Sequence, residues 1–528
     1  MGLSFLNQHI SRKSLKGYRQ VLKTRSLSRV REIKNLLADS NPLYVNNSAF
    51  TREACLAHLP HNKIIRQYLF QKYINRSFVN RLFYSINRKK PSVFPLPKKW
   101  LNVLESNGIF VNHFTSRVVW FASLLLLSIF NVLKSLLFFV RSSALFGKCR
   151  RSKKYVFFSQ LSGKNIPSSS NMPESYTVID WYLQWKGRRN IDSINHNVKS
   201  RKFLYNNVTI SHGYLPYYLI RDIFAYCRLF CWFLRYLVSS LLDLLSGKWW
   251  SLLLVYEVLL AKSTSLCPVN LLAEDYMIHY SGSFFRPLWT YIVEKYGSRV
   301  ITYFYSSYQN PSINSPDKYC SEFWPASTWS HHLVWDTFQK RYLEKSLDNN
   351  AKIESVGSVW FADINRIPIL PEKSIAVFPL EFPRLLFDMP TSTYGELRYD
   401  HPNYFKLFIN DILSVLSCYD YKMVLKLKRE RTNTQRYGYI AKFLNQLRNN
   451  TNVIIVDSDL SPLKLFPRSK GVISMPFTST AHYTDIKSPN VYYDPTIWFD
   501  PKDSAAHGVP VISGKTQLKQ WLYSNVIS

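Results

Sequence analysis

From Ser374 onward the chain alternates, at short and regular intervals, between apolar runs too short for helices and stretches of helical period. Few architectures accept that pattern. Ile375–Leu380, Met423–Lys428, Val453–Val456, Gly471–Ser474, Val491–Asp494 and Val509–Ile512 read as strands. Helices are expected over Pro402–Leu416, Gln435–Leu447, Ser461–Phe466, Ser479–Asp485 and from Lys515. Apolar strands separated by helices imply a parallel sheet covered on both faces. Ligands of such sheets collect beyond the carboxyl ends of the strands, where the strand order reverses.

A looser version of the same alternation precedes it. Lys154–Ser159, Thr177–Trp185, Asn207–Ser211, Met277–Tyr280, Arg299–Tyr305, Leu333–Trp335 and Ile353–Trp360 read as strands, with helices over Phe284–Tyr296 and up to Leu343. The expected class is therefore α/β, with two Rossmann-like domains facing a cleft: residues 151–372 and 373–528. No G-x-G-x-x-G or Walker loop occurs, so neither a dinucleotide nor a phosphate loop that hydrolyses ATP is supported.

The first 150 residues have a different character. The net charge is +34, and residues 1–100 carry half of that excess, with 20 Lys and Arg against 3 Asp and Glu. Nucleic acid, an anionic membrane face and an anionic substrate all suit such a charge. Aromatics interleaved with Arg on a strand pair are not apparent, which makes nucleic acid the poorer fit. Residues 1–117 read as basic helical pieces, and residues 118–150 as a membrane anchor or interfacial helix. Val118–Val140 has the length of a membrane span, but Asn131 and Lys134 interrupt it. The basic residues after Arg141 would put its C-terminal side in the cytosol if it crosses. Residues 217–260 form a second apolar stretch, broken by Arg228, Arg235, Asp243, Lys248 and Glu257, which suits an amphipathic insertion in the first domain. The first apolar residues are interrupted at once by polar ones, so no export signal is expected. Seven scattered cysteines without a C-x-x-C pair suggest neither a disulfide framework nor zinc.

Two clusters carry candidate chemistry. Thr478, Ser479 and Thr480 follow the strand Gly471–Ser474, where hydroxyls and unpaired backbone N–H groups at a helix start would attract a phosphate. The same residues also suit an ordinary helix cap. Lys426, Lys428 and Arg429 end another strand of the same sheet and would supply cations to a phosphate or diphosphate leaving group. His507, before Gly508, is a candidate ribose or phosphate contact, and Arg286 a candidate anion contact. Asp494, Asp500 and Asp503 suit either sugar hydroxyls or turn chemistry. In the first domain His212, Glu274 and Asp275 are the titratable candidates for taking a proton from an acceptor hydroxyl. His331-His332 lacks further ligands at useful spacing, so no metal is assigned, and no cofactor is implied.

The tetrapeptide Pro476-Phe477-Thr478-Ser479, together with Phe284–Ser306, His332–Gln339 and Lys426–Arg429, resembles the PFTS-motif polysaccharide biosynthesis proteins of bacteria. The resemblance runs from about Glu274 onward. It implies a two-domain glycosyltransferase of GT-B type, similar in organisation to enzymes using CMP-activated acidic sugars. Those carry Lys-x-His-Pro at one strand end and a Ser/Thr pair after another. Thr478-Ser479-Thr480 matches the second element, whereas Lys426-Leu427-Lys428-Arg429 departs from the first. The resemblance thus implies a nucleotide-sugar donor, CMP-linked ahead of UDP- or GDP-linked, and a glycan or glycolipid acceptor; the basic residues of the first 150 positions add the expectation of an anionic membrane surface, on the cytosolic face. The competing expectation is a non-catalytic polyanion- or nucleic-acid-binding protein on a degenerate transferase fold.

Overall fold

The computed structural model describes residues 26–40, 47–53, 61–74, 76–86, 90–143, 155–159, 178–182, 202–205, 208–212, 223–280, 285–304, 306–307, 324, 327–347, 350–357, 369–380, 402–428, 438–458, 460, 462–482, 488–496 and 499–528. Helices α1 (Ser26–Asp39), α2 (Ala49–Glu53), α3 (His61–Tyr73), α4 (Arg76–Ser85), α5 (Lys98–Ser106) and α6 (His113–Ser143) come first. Strands β1 (Tyr155–Ser159), β2 (Val178–Tyr182), β3 (Lys202–Tyr205) and β4 (Val208–His212) follow, then α7 (Ile223–Leu245), α8 (Trp250–Leu253) and α9 (Val255–Ser265). Next are β5 (Asp275–Tyr280), α10 (Leu288–Lys295), β6 (Arg299–Phe304), β7 (His331–Val334), α11 (Thr337–Ser346) and β8 (Lys352–Ser355). The last part holds β9 (Ser374–Phe378), α12 (Pro402–Ser417), β10 (Lys422–Lys426), α13 (Gly438–Arg448), β11 (Val453–Val456), β12 (Gly471–Ser474), β13 (Asn490–Asp494), β14 (Val511–Ser513) and α14 (Gly514–Leu522).

The basic N-terminal helices and the insertion α7–α9 share one core, in which Ile33, Phe50, Leu69, Leu124, Phe233 and Val258 are buried together. A buried carboxylate links the two segments. Asp243 of α7 accepts from the Ala49 amide at 2.5 Å, at the first residue of α2, and from Ser251 Oγ at 2.6 Å. A carboxylate there satisfies a helix-start donor and opposes the positive end of the helix dipole. Trp250 Nε1 donates to Ser48 Oγ and Lys248 Nζ to the Asn47 carbonyl. Asp243 and Lys248, which break the apolar pattern in sequence, are thus the groups that fasten residues 47–53 in place.

The first sheet runs β3-β4-β2-β1-β5-β6-β7-β8, parallel except for the edge pair β3–β4. The second runs β11-β10-β9-β12-β13-β14 and is parallel throughout. Counting its strands in chain order gives 3-2-1-4-5-6, the doubly wound order, which reverses between β9 and β12. Both sheets are therefore α/β, as the alternation implies. One face of the second sheet packs Ile375, Val377, Met423, Leu425 and Ile473 against α12, α13 and α14. Ala376, Phe378, Val424 and Val472 of the other face join Phe304, Val334, Trp335 and Leu343 of the first domain in one buried cluster.

Two expected helices are 3-10 rather than α in character among the described residues. Residues Pro462–Lys464 and Phe466–Arg468 form separate 3-10 turns, and Ser479–His482 forms a single one. Pro467 lacks the amide that a helix continuing from Pro462 would need. Strand β3, at the antiparallel edge of the first sheet, is not among the strands expected from the sequence.

His332 on β7 is closed to solvent. Thr302 Oγ1 donates to the His331 carbonyl at 3.0 Å, so the His332 Nδ1–H donates to Thr302 Oγ1 at 2.6 Å. Burial, aided by the neighbouring His331 charge, pushes the His332 pKa down from 6.5 to about 4. Below pH 6.5 the unfolded chain takes up a proton that the folded chain refuses, so this contribution is full above the unfolded pKa and fades on acidification. Denaturant unfolding is expected to show a loss from this residue of ~2–3 kcal/mol between pH ~7 and ~4.5. His332→Asn should flatten the profile by that amount; an unchanged slope would contradict the assignment.

Candidate functional site

The reversal of strand order in the second sheet places the carboxyl ends of β9 and β12 side by side, and the Pro476-Phe477-Thr478-Ser479 loop leaves from β12 at that point. The Met475 amide closes onto the Phe378 carbonyl at 3.0 Å, so the loop starts as a continuation of the ladder. Phe477 then adopts φ +61°, a left-handed conformation that costs a residue with a side chain about 1–2 kcal/mol. Its ring offsets that cost by burial against Tyr492 and Phe499, with centroids at 5.7 and 5.1 Å. The kink points the following residues back over the strand ends.

The three hydroxyls have different fates. Thr478 is buried and donates to the Met475 carbonyl at 3.0 Å, and Thr480 donates to Thr478 Oγ1 at 3.2 Å. Ser479 is the one directed across the domain boundary, where its Oγ accepts from the Ser307 amide at 3.2 Å. Ser307 lies just beyond the carboxyl end of β6. Where a helix is expected to start at Ser479, the described residues Ser479–His482 form a 3-10 turn.

Lys426 and Lys428 emerge from the same carboxyl edge, one strand further over on β10, which lies beside β9. Lys426 is buried and its Nζ donates to the Ser458 carbonyl at 3.1 Å, whereas Lys428 is exposed. Arg429 falls outside the described residues. The two lysines and Ser479 are therefore on one edge, with β9 between them.

His507 brings a second contact between the domains. It has φ +51° and is followed by Gly508 at φ +81°. Its Nδ1–H donates to Asp336 Oδ2 at 2.5 Å, and Asp336 Oδ1 at the same time caps α11 by accepting from the Gln339 amide at 2.8 Å. The His507 ring stacks on His482 at 4.1 Å and 18°. The Tyr492 hydroxyl donates to the Thr478 carbonyl at 2.7 Å, so His482 Nε2–H donates to Tyr492 at 2.6 Å. Burial, then the charge of His507, holds the His482 pKa well below the usual histidine range. His507 Nε2 is buried with no hydrogen-bond partner, a costly state for a polar atom. A cavity of about 300 Å³ adjoins it, lined by Asp336, Phe338, His482, Asn490, His507 and Pro510 among others.

Asp336, His482 and His507 hold potential metal-ligand atoms within 4.8 Å of one another. The two imidazole planes are nearly parallel and stacked, however, so their in-plane lone pairs do not converge on a common point. One nitrogen of each ring is already engaged, by Tyr492 and by Asp336. Chelation by both rings would require one of them to rotate out of the stack.

Several residues singled out in the sequence have structural work instead. Glu274 and Asp275 stand at the start of β5, the edge opposite the carboxyl ends, and buried Asp275 is held by both Arg299 Nε and Nη2 at 2.5 and 2.6 Å. The proton-acceptor role expected of these carboxylates does not fit that position. His212 ends β4, at the carboxyl edge of the first sheet. Arg286 is buried, bonded to Glu294 at 2.6 Å and laid over Tyr291, so it is a packing group rather than an anion contact. Asp494 gathers Tyr404, Thr496 and the Phe499 amide, while Asp500 and Asp503 accept from Lys502 and Ala505 amides, which is turn chemistry. Asp336, His482 and Tyr492 had no assignment from sequence. Asp336 carries one local signal, an Asp immediately before a helical Thr-Phe-Gln run.

The strain at Phe477 can be measured. Phe477→Ala is expected to cost about 3–5 kcal/mol in denaturant unfolding through the cavity it leaves. At an ordinary position glycine is ~0.5–1 kcal/mol worse than alanine. Here Phe477→Gly should be at least as stable as Phe477→Ala, because only glycine escapes the left-handed penalty. A glycine variant clearly less stable than the alanine one would contradict the strain argument.

A comparison with curated proteins found no match. Among solved structures the chain is similar to UDP-GlcNAc 2-epimerase from Neisseria meningitidis, at 13% identity and TM-score 0.37, covering 71% of this chain and 91% of that one. It is also similar to the wall teichoic acid polymerase TagF, at 11% identity and TM-score 0.36, covering 77% and 89%. MurG from Acinetobacter baumannii matches at 8% identity and TM-score 0.32, covering 71% and 90%. Residues 228–522, over half of the chain and including the hydrogen-bonded Ser307 and Ser479, match the family described as polysaccharide biosynthesis PFTS motif protein. The chain belongs to that family of polysaccharide biosynthesis PFTS motif proteins.

Proposed function

We propose that the protein is a glycosyltransferase that takes a sugar from a nucleotide-activated donor and passes it to a surface glycan or glycolipid acceptor at the cytosolic face of a membrane. The observation that carries this reading is the position of the PFTS loop, which leaves β12 where the strand order reverses and shares its edge with Lys426 and Lys428. Hydroxyls and ammonium groups on one edge suit the phosphates of a departing nucleotide, whose charge grows as the sugar bond breaks. Arg429 is a further candidate cation. A CMP-linked sugar remains the first donor to test, with UDP- and GDP-linked sugars next.

In the transfer the acceptor hydroxyl oxygen bonds to the anomeric carbon, the carbon–oxygen bond to phosphate breaks, and the nucleotide leaves with that electron pair. The hydroxyl proton needs an acceptor. We assign it to His507 Nε2, with Asp336 as the positioning residue that fixes the ring through Nδ1. The pair comes from both domains, so it is complete only when they are together.

Thermal shift with CMP, UDP and GDP tests the donor class. Saturable stabilisation by one nucleotide, reduced at least tenfold in affinity by Ser479→Ala with Lys428→Ala, is the expected result. Salt-sensitive binding to polyanions without any nucleotide shift would favour the non-catalytic alternative instead. His507→Ala should lower the turnover number by about 10²–10⁴ with nucleotide affinity kept. Asp336→Asn should lower it less and alter its pH profile; wild-type turnover in both variants would remove the assignment.

A further inference from the structure

Helix α6 is turned inside out for a helix in water. Its protein-facing stripe carries Ser116, Trp120, Leu124, Ser128, Asn131 and Ser135. Ser116 Oγ accepts from the Phe94 amide at 2.9 Å, and Asn131 Nδ2 donates to the Leu253 carbonyl at 2.7 Å. Lys134 folds its ammonium over the Tyr256 ring at 3.9 Å. The opposite stripe is apolar from end to end: Phe114 is 80% exposed and Leu126 68%, and Phe121, Phe130, Leu133 and Val140 are likewise exposed. Soluble monomers rarely leave so long a run of large apolar side chains uncovered.

Helix α7 extends this face. At the C-terminal end of α6, Phe139 packs on Phe230 and Phe233 of α7, and Tyr226 donates to its carbonyl at 3.1 Å. Phe224, Arg228, Cys231, Arg235, Val238, Leu242 and Leu245 are all exposed and recur at helical spacing along one stripe of α7. Arg228 on this apolar stripe suits the boundary between acyl chains and anionic headgroups, whereas the Arg235 guanidinium is paired with Glu53 at 3.3 Å. Arg117, exposed beside Val118, plays the same part on α6.

The contacts also fix how α6 meets the bilayer. It touches the protein body along its length, from Trp120 against Tyr73 and Trp249 to Phe139 against α7. At 31 residues it is about 46 Å long, against a hydrocarbon thickness of about 30 Å. A crossing helix would draw α3, α9 and the buried carboxylate of Glu257 to membrane depth. We infer that the outer faces of α6 and α7 lie in one leaflet of an anionic bilayer, with α6 along the surface and not across it. This deepens the membrane part of the proposed function by naming the surface and its geometry.

The test uses the full chain with vesicles of phosphatidylglycerol or of phosphatidylcholine alone. Flotation is expected with phosphatidylglycerol and much weaker with phosphatidylcholine. Leu126→Glu, Phe130→Glu and Leu133→Glu together should reduce flotation at least tenfold while the melting temperature holds. In sealed vesicles, Asn112→Cys just before α6 and Ser143→Cys at its last residue, positions off the apolar stripe, should both react with an external impermeant maleimide above the native-cysteine background. Protection of one end alone would mean that α6 crosses, and would overturn the inference. So would undiminished flotation of the triple variant, or a stable dimer that conceals this face and does not float. Nucleotide stabilisation is read separately, so a failure there counts against the transferase reading and leaves this result intact.

Discussion

The hydrogen bond between His507 and Asp336 joins two sheets that are otherwise built alike, and the architecture of the site follows from it. In a parallel sheet every strand delivers its carboxyl end to one edge. Asp336 follows β7, Ser307 follows β6 and Ser479 follows β12, whereas His507 comes shortly before β14, beside a cavity lined by Asn490 and Pro510 at the starts of β13 and β14. The buried cluster containing Phe304, Trp335, Phe378 and Val472 excludes water beside these polar contacts. A charged hydrogen bond at such a boundary is strong while both partners remain and costly if either is lost. That makes the pair suited to hold the domains in a defined relation while leaving one imidazole nitrogen for a ligand.

Two of the four described non-glycine residues with positive φ lie at the same boundary, the other two being Asn47 and Asp420. Phe477 and His507 both have positive φ, and they lie on the two loops that carry the site. Phe477 is held by aromatic packing, and His507 by Asp336 and by the stack on His482. Backbone in sparsely populated conformations persists where the surroundings over-determine it, and such places tend to be functional. His482, kept neutral by burial, lets His507 stack without a facing charge.

The alternation after Ser374 made the second sheet legible, since strands of four or five apolar residues between helices have little other use. Both ends of β12 agree with the sequence, and β9 and β10 differ only at their ends. The common edge of Lys428 and Ser479 was also legible, because parallel strands leave no alternative. The Asp336–His507 pair was not: its members are 171 residues apart and belong to different domains. Asp275 misled because a carboxylate beside a strand gives no sign of which end it occupies. Its partner Arg299 opens the next strand, and only the register shows that they face each other. The polar residues in the apolar stretches had a similar explanation. Asn131 and Lys134 count against a simple membrane span, Asp243 breaks the second apolar stretch, and each is bound to the protein body.

The central claim is that donor phosphates sit at the PFTS edge between the two sheets. Amide hydrogen exchange with and without the stabilising nucleotide tests it residue by residue. Slowed exchange confined to the segments around residues 475–482, 426–428 and 306–307 is the predicted result. Protection elsewhere with none at residues 475–482 would contradict it.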